Sequence, residues 1–133
     1  MSEENIETMR QAMEAFNRGD RDAWLLLHDP DFEFRADPEW PESERVRGRE
    51  AVWDFSVKMT DAWEPDPFEM VEVVEAGRDR VAARFRRPVR GKASGIVDEL
   101  DYWTVTTFSR GELLSQHWYA NRAKALEAAG LSE

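Results

Sequence analysis

Apolar residues open the chain at helical spacing. Ile6, Met9, Met13 and Phe16 share one stripe, with polar residues between them. The stripe predicts a helix running to Asn17. Gly19 stands where a C-cap glycine belongs and Asp20 where the next N-cap belongs. A second, short helix carrying Trp24 and Leu27 then ends at His28-Asp29-Pro30, because the residue before a proline disfavours helical backbone. Phe32 and Phe34 alternate with Glu33 and Arg35, the pattern of a half-buried strand over Asp31–Arg35. Residues 37–46, with two prolines and four acids, read as a loop that contains Trp40. A third helix opens within Arg47–Val52. It places Val52, Phe55, Met59 and Trp63 on one stripe before Glu64-Pro65-Asp66-Pro67 breaks it.

From Phe68 onward the periodicity changes from helical to alternating. Phe68–Ala76, Arg80–Val89, Ile96–Phe108 and Leu113–Ala120 read as four strands. The turn signals Gly77-Arg78-Asp79, Gly91-Lys92-Ala93-Ser94 and Ser109-Arg110-Gly111 separate them. Asn121 caps a last short helix that Gly130 ends. This order implies a helix-covered, strongly curved sheet around a conical pocket.

Charge supplies a register. If the Gly91–Ser94 turn closes a hairpin, Arg87 faces Asp98, Arg86 faces Glu99 and Arg84 faces Asp101, three opposite-charge cross-strand pairs. The inner face then carries Phe85, Asp98, Leu100, Tyr102, Thr104, Thr106, Leu114, Gln116 and Trp118, with a bulge at Gly111. The outer face carries Trp103, Val105, Ser115, His117 and Tyr119.

Composition narrows the function classes. A chain of 133 residues has room for one domain, residues 1–133. Six Trp and seven Phe mean either an aromatic core or a ring-lined cavity. The net charge of −10 repels phosphate backbones and anionic lipid, which argues against nucleic-acid and membrane partners. Without cysteine there is no disulfide, thiol nucleophile or thiolate metal site. Two distant histidines and no clustered carboxylates leave no metal site. No phosphate loop, serine elbow or dinucleotide fingerprint is present, so no cofactor is expected. An acidic N-terminus without an apolar run, and Leu25-Leu26-Leu27 as the longest aliphatic run, make the cytoplasm the default location.

The segments Ala15-Phe16-Asn17-Arg18-Gly19-Asp20, Asp29-Pro30-Asp31-Phe32-Glu33-Phe34-Arg35, Arg47-Gly48-Arg49-Glu50-Ala51-Val52 and Ala125–Leu131, in this order and spacing, resemble the SnoaL-like group of the nuclear transport factor 2-like superfamily. The resemblance implies an α+β fold. It is a conical barrel of a strongly curved, mostly antiparallel sheet, with about three helices covering the concave face and a short C-terminal helix. It also implies an apolar pocket and dimers. The superfamily spans polyketide cyclases, ketosteroid isomerases, epoxide hydrolases, dehydratases and non-catalytic binding domains. Asp37-Pro38 stands where ketosteroid isomerases hold their general base, but Ala12 and Thr104 stand where those enzymes use Tyr and Asp. The His–Asp pair of the cyclases has no counterpart: His117 falls on the outer face and Asn121 follows the strand.

Two readings of function follow. In the first, the chain is a pocket protein binding a hydrophobic or polycyclic small molecule through Phe34, Trp53, Phe55, Met59, Phe85, Arg87, Thr104, Gln116 and Trp118. In the second, it is a cofactor-independent acid–base enzyme with Asp37 as base, Tyr102 as hydrogen-bond donor to an oxyanion, and Asp98 as a pocket acid held by Arg87. Each group also has a structural reading. Asp37 is then a loop carboxylate, Asp98 one half of an ion pair, and Tyr102, Thr104 and Gln116 core groups that satisfy one another. The outer-face cluster Trp103, Val105, His117 and Tyr119 is the expected homodimer surface, since rings left in water mark an interface.

Overall fold

The computed structural model describes residues 2–37, 45–60 and 63–131. Its elements are α1 (Ser2–Asn17), α2 (Arg21–Leu26), β1 (His28–Arg35), β2 (Arg45–Arg47), α3 (Arg49–Met59), β3 (Trp63–Pro65), β4 (Glu69–Glu75), β5 (Arg80–Gly91), β6 (Val97–Ser109), β7 (Glu112–Tyr119) and α4 (Arg122–Ala128). One curved, unclosed sheet runs β2-β1-β7-β6-β5-β3, with β4 also on β5. Among the described residues only the β1–β7 pairing is parallel.

The caps form as their residue types require. Asp20 accepts from the Ala23 amide and Asn121 from the Lys124 amide, each satisfying a free helix-start donor. Gly48 precedes α3 at φ 98°, a backbone suited to glycine. Next to it Arg49 donates from Nη1 to the carbonyls of Leu25 and His28 at 3.1 and 3.2 Å. The Arg47–Val52 segment is thereby a fastener for the α2–β1 junction.

Several sequence expectations need correction. Strand β1 begins at His28, not Asp31, and α2 stops at Leu26. Pro30 therefore sits inside the strand, where the β1–β7 ladder is irregular between His28 and Glu33 and no amide is demanded of it. The end of the expected loop is strand β2, where Glu33 accepts from Arg45 at 2.8 Å and from Arg47 at 3.3 Å. Trp40 lies outside the described residues. Helix α3 ends at Met59, and Trp63–Pro65 pairs with β5 instead of extending the helix.

The β5–β6 hairpin is offset by two residues from the expected register, and the β6–β7 hairpin by two from the pairing that a Gly111 bulge predicts, Thr106 with Leu114, Thr104 with Gln116 and Tyr102 with Trp118. Phe85 faces Tyr102 and Arg87 faces Leu100; Thr104 faces Trp118 and Thr106 faces Gln116. An offset of two keeps every side chain on its own face. Across the β5–β6 hairpin the charge pairs form diagonally, Arg84 reaching Asp101 at 2.6 Å and Arg86 reaching Glu99 at 3.8 Å, while Arg86 meets its direct β4 partner Glu69 at 3.1 Å. Arg87 and Asp98 do not pair. A bulge between Thr107 and Phe108 turns Leu113, not Leu114, into the core.

Helices cover both faces of the sheet. On the concave side Met9, Ala12 and Ala15 of α1, Trp24 of α2 and Val52 and Trp53 of α3 pack with Phe32, Phe34, Phe85, Tyr102 and Leu113. On the outer side Ala125, Leu126 and Ala129 cover Ala82, Trp103 and Val105. Trp103, 5% exposed, also lies under the Arg122 guanidinium at 5.7 Å. The expectation that the outer-face rings stand in water is therefore wrong for Trp103 and Val105. His117 and Tyr119 remain half-buried there. Among the described residues no helix is long and apolar enough to cross a membrane.

Candidate functional site

Between the concave face and α1–α3 lies a cavity of about 240 Å³. Its wall is a row of rings built by strand parity. Phe85 on β5, Tyr102 on β6 and Trp118 on β7 point inward and stack. Their centroids are 6.0 Å apart for Phe85–Tyr102 and 3.9 Å for Tyr102–Trp118, with interplanar angles of 24° and 18°. Phe34 meets Trp118 edge-on at 5.0 Å and Phe55 at 5.5 Å. Met59, half-exposed, also lines the cavity.

Polar groups interrupt this wall at few points. Gln116 is committed to its neighbours: its Oε1 accepts from Trp118 Nε1 at 2.9 Å, and its Nε2 donates to Thr106 Oγ1 at 3.3 Å. It therefore orients the indole. Burial pushes the Tyr102 phenol far above its ordinary pKa, an effect opposed by the nearby Arg87 charge. The phenol stays a hydrogen-bond donor at any working pH.

Arg87 is 6% exposed and lines the cavity. Its guanidinium lies over Phe68 at 4.3 Å and Phe16 at 5.6 Å, and its Nε donates to the Asp66 carbonyl at 2.9 Å. Asn17 pins Phe68 in place, donating to its carbonyl at 3.1 Å and accepting from its amide at 2.8 Å. Burial lowers the Arg87 pKa, with Tyr102 acting in the opposite sense. Asp98 lines the cavity but is solvent-exposed, its Oδ1 accepting from the Glu99 amide at 2.7 Å.

Three expected site residues stand elsewhere. Asp37 is 2% exposed but does not line the cavity. Its Oδ2 accepts from the Ala120 amide at 3.2 Å and lies 3.5 Å from Lys124 Nζ, so it joins the end of β1 to the start of α4. Trp53 packs into the core against Phe16 and Trp24, each at 5.4 Å, and is not part of the lining. Thr104 is fully buried between strands, its hydroxyl donating to the Ala83 carbonyl at 3.4 Å.

His28, which the sequence places at the end of the second helix, lines the cavity. It is 2% exposed, stacked on Trp24 at 3.6 Å and edge-on to Phe32 at 4.4 Å. Its Nδ1 lies 2.6 Å from the Trp24 carbonyl. A carbonyl only accepts, so Nδ1 carries the proton and Nε2 holds a lone pair. Nε2 has no hydrogen-bond partner among the described residues. Burial lowers the imidazole pKa from 6.5 to about 4, with the Arg49 charge acting in the same sense. The signal was available: inward parity of Phe34 and Phe32, continued backward across Pro30, reaches His28. Among the described residues no group of three or more His, Asp or Glu could hold a metal ion.

The SnoaL-like domain model matches residues 9–117. The chain belongs to this family. No curated protein matches the SnoaL-like chain. Among solved structures, a nuclear transport factor 2-like protein of Burkholderia xenovorans is 25% identical, with a TM-score of 0.71 over 96% of this chain and 95% of its own. TerC, co-crystallized with polyporic acid, is 19% identical, with a TM-score of 0.74 over 96% of this chain and 98% of its own. A Mycobacterium tuberculosis protein in complex with estradiol-17beta-hemisuccinate is 17% identical, with a TM-score of 0.72 over 89% of this chain and 94% of its own. These likenesses establish the nuclear transport factor 2-like fold.

Proposed function

We propose that this SnoaL-like protein binds a hydrophobic, ring-bearing small molecule in the cavity between α1–α3 and the concave sheet. The observation that carries the reading is the stack of Phe85, Tyr102 and Trp118 facing the cavity. Such rings offer flat contact area, and the few polar groups among them fix orientation. The two similar proteins above were crystallised with ring compounds, which agrees with the chemistry of this wall. A neutral fluorescent probe, N-phenyl-1-naphthylamine, tests it. Saturable binding to one site per chain is expected, and displacement by small polycyclic molecules. Absence of saturable binding would sink the reading.

Acid–base chemistry is a second reading, and it rests on His28 rather than Asp37. A neutral imidazole with a free Nε2 on the cavity wall accepts a proton from a bound carbon acid, while the Tyr102 phenol donates to the developing oxyanion. Deuterium exchange at the carbon next to the carbonyl of 2-tetralone tests it. The protein should accelerate exchange and His28→Asn should abolish the acceleration; equal rates in both would remove His28.

A further inference from the structure

We infer that the ligand of this cavity is a ring-bearing acid whose carboxylate, or comparable monoanionic group, is received by Arg87. The inference rests on the pocket reading above and adds a charge to it.

A guanidinium taken out of water loses hydration that only counter-charge or a full set of hydrogen bonds replaces. Buried arginines are accordingly paired. Arg87 breaks that rule within this molecule: no carboxylate among the described residues forms an ion pair with it. Its Nε is satisfied by the Asp66 carbonyl, while Nη1 is buried with no hydrogen-bond partner. The side chain is not there by slack, because three features hold it. Phe68 and Phe16 lie against it, Asn17 fixes Phe68 from both backbone atoms, and the Asp66 carbonyl fixes the fork. What remains is a preorganised cation with unused N–H donors on the wall of an apolar cavity. A planar fork of this kind matches a carboxylate, and an anion reaching it meets little competing water.

The rest of the wall fits the same ligand. Tyr102 lines the same cavity as Arg87 and remains a hydrogen-bond donor. The other ionisable lining groups do not compensate Arg87. His28 is neutral above about pH 4, and Asp98 is exposed to water at the rim, bonded to the amide of its own neighbour. Three residues away, on the opposite face of the same strand, the alternative arrangement is visible: Arg84 holds Asp101 in a bidentate pair.

The test compares two probes with the same fused rings. 8-Anilinonaphthalene-1-sulfonate is anionic; N-phenyl-1-naphthylamine is its neutral counterpart. Competition by 2-naphthoate and by its methyl ester extends the comparison to a carboxylate. Wild-type protein should bind the acid of each pair about ten- to a hundredfold more tightly than the neutral partner, the range of a charge-assisted hydrogen bond inside a protein. In Arg87→Met that ratio should fall to about one, and Arg87→Lys should restore part of it, since charge without the fork recovers the attraction but not the geometry. A wild-type ratio near one with tight neutral binding would overturn the anion inference and leave the pocket reading standing. No binding of either probe would overturn both. Should Arg87→Met fail to fold, the wild-type ratio and Arg87→Lys still decide.

Discussion

Arg86 and Arg87 are consecutive on β5 and meet opposite surroundings. On the outer face Arg86 lies between Glu69 and Glu99, and Arg84 is paired with Asp101, all partly in water. On the inner face Arg87 has rings, a backbone carbonyl and an unsatisfied N–H. The histidines divide the same way. His117 stands half-buried outside, near Arg35 and Glu33, while His28 is sealed inside between Trp24 and Phe32. On the outer face Arg84 and Arg86 are paired, and Trp103 and Val105 lie under α4. The inner face is incomplete, with an empty space, an uncompensated cation and a lone pair. Stability should therefore respond most to outer-face changes, and binding to inner-face ones.

Two tryptophans carry the largest expected effect. Trp103 is packed under Ala125, Leu126 and Ala129. Truncating a tryptophan in such a position removes both transfer energy and packing, so Trp103→Ala should cost about 3–5 kcal/mol in urea unfolding. Its ratio of anionic to neutral probe binding should not change in whatever fraction stays folded. Trp118→Ala, on a wall that already borders a void, should cost clearly less stability. If Trp118→Ala proves the more destabilising, the division between a structural outer face and a binding inner face is wrong.

Acid separates the histidines next. The pKa of His28 is about 4 when folded and 6.5 when unfolded, so the unfolded chain binds the extra proton. Its contribution is present in full above pH 6.5 and is lost as pH falls from 6.5 toward 4. The integrated loss is roughly 3 kcal/mol. His117 is shifted in the same direction, chiefly by burial with Arg35 adding to it, and contributes with the same sign as pH falls below 6.5. Unfolding free energies of wild type and His28→Asn, measured from pH 7 to pH 4, should differ in slope, wild type falling more steeply because the variant lacks this proton uptake. Identical slopes would mean that His28 titrates as freely in the fold as out of it.

Third comes the ring wall itself. Trp118 stacks on Tyr102 and is oriented by Gln116. Trp118→Ala should weaken N-phenyl-1-naphthylamine by about tenfold, or about 1.4 kcal/mol. Gln116→Leu should weaken it less, because the indole remains but loses its guide. Equal losses would show that orientation, not ring area, governs binding.

The faces of the sheet were legible from the chain alone because alternation is a local property: Phe85, Tyr102 and Trp118 point inward in any register of the right parity. The register itself was not, because opposite charges attract diagonally as well as directly. Arg84 and Asp101 were correctly matched, yet the backbone partner of Arg84 is Trp103. Pro30 concealed His28, since a proline after a helical stretch reads as its end when it also fits an irregular strand. The role of α4 was hidden by its size: a seven-residue helix with alanines at its contacts gives almost no amphipathic signal. Asp37 was misplaced because an Asp-Pro after a strand says nothing of which way the carboxylate turns. Here it turns to the Ala120 amide and Lys124.

The smallest effect belongs to the Arg84–Asp101 pair, and its smallness is what makes it useful. The two side chains meet in bidentate geometry at 2.9 and 2.6 Å, but about a third of each is open to water. Water screens such a pair and leaves it little net effect on folding. The pair should nevertheless be visible in titration. Hydrogen bonding from Arg84 holds the Asp101 carboxyl below its usual range, so the stability it brings is present above the unfolded carboxylate pKa. That stability is lost as pH falls through the lower, folded value. Following Asp101 by carbon-13 NMR should place its midpoint below that of an ordinary aspartate, and Arg84→Met should move it back up. In about 1 M salt, where screening acts over about 3 Å, the shift should shrink. Arg87→Met should leave the Asp101 midpoint where it is, because Arg87 faces the other side of the strand. A matching rise in both variants would mean that the two arginines share one field and that the faces of β5 are not electrostatically separate.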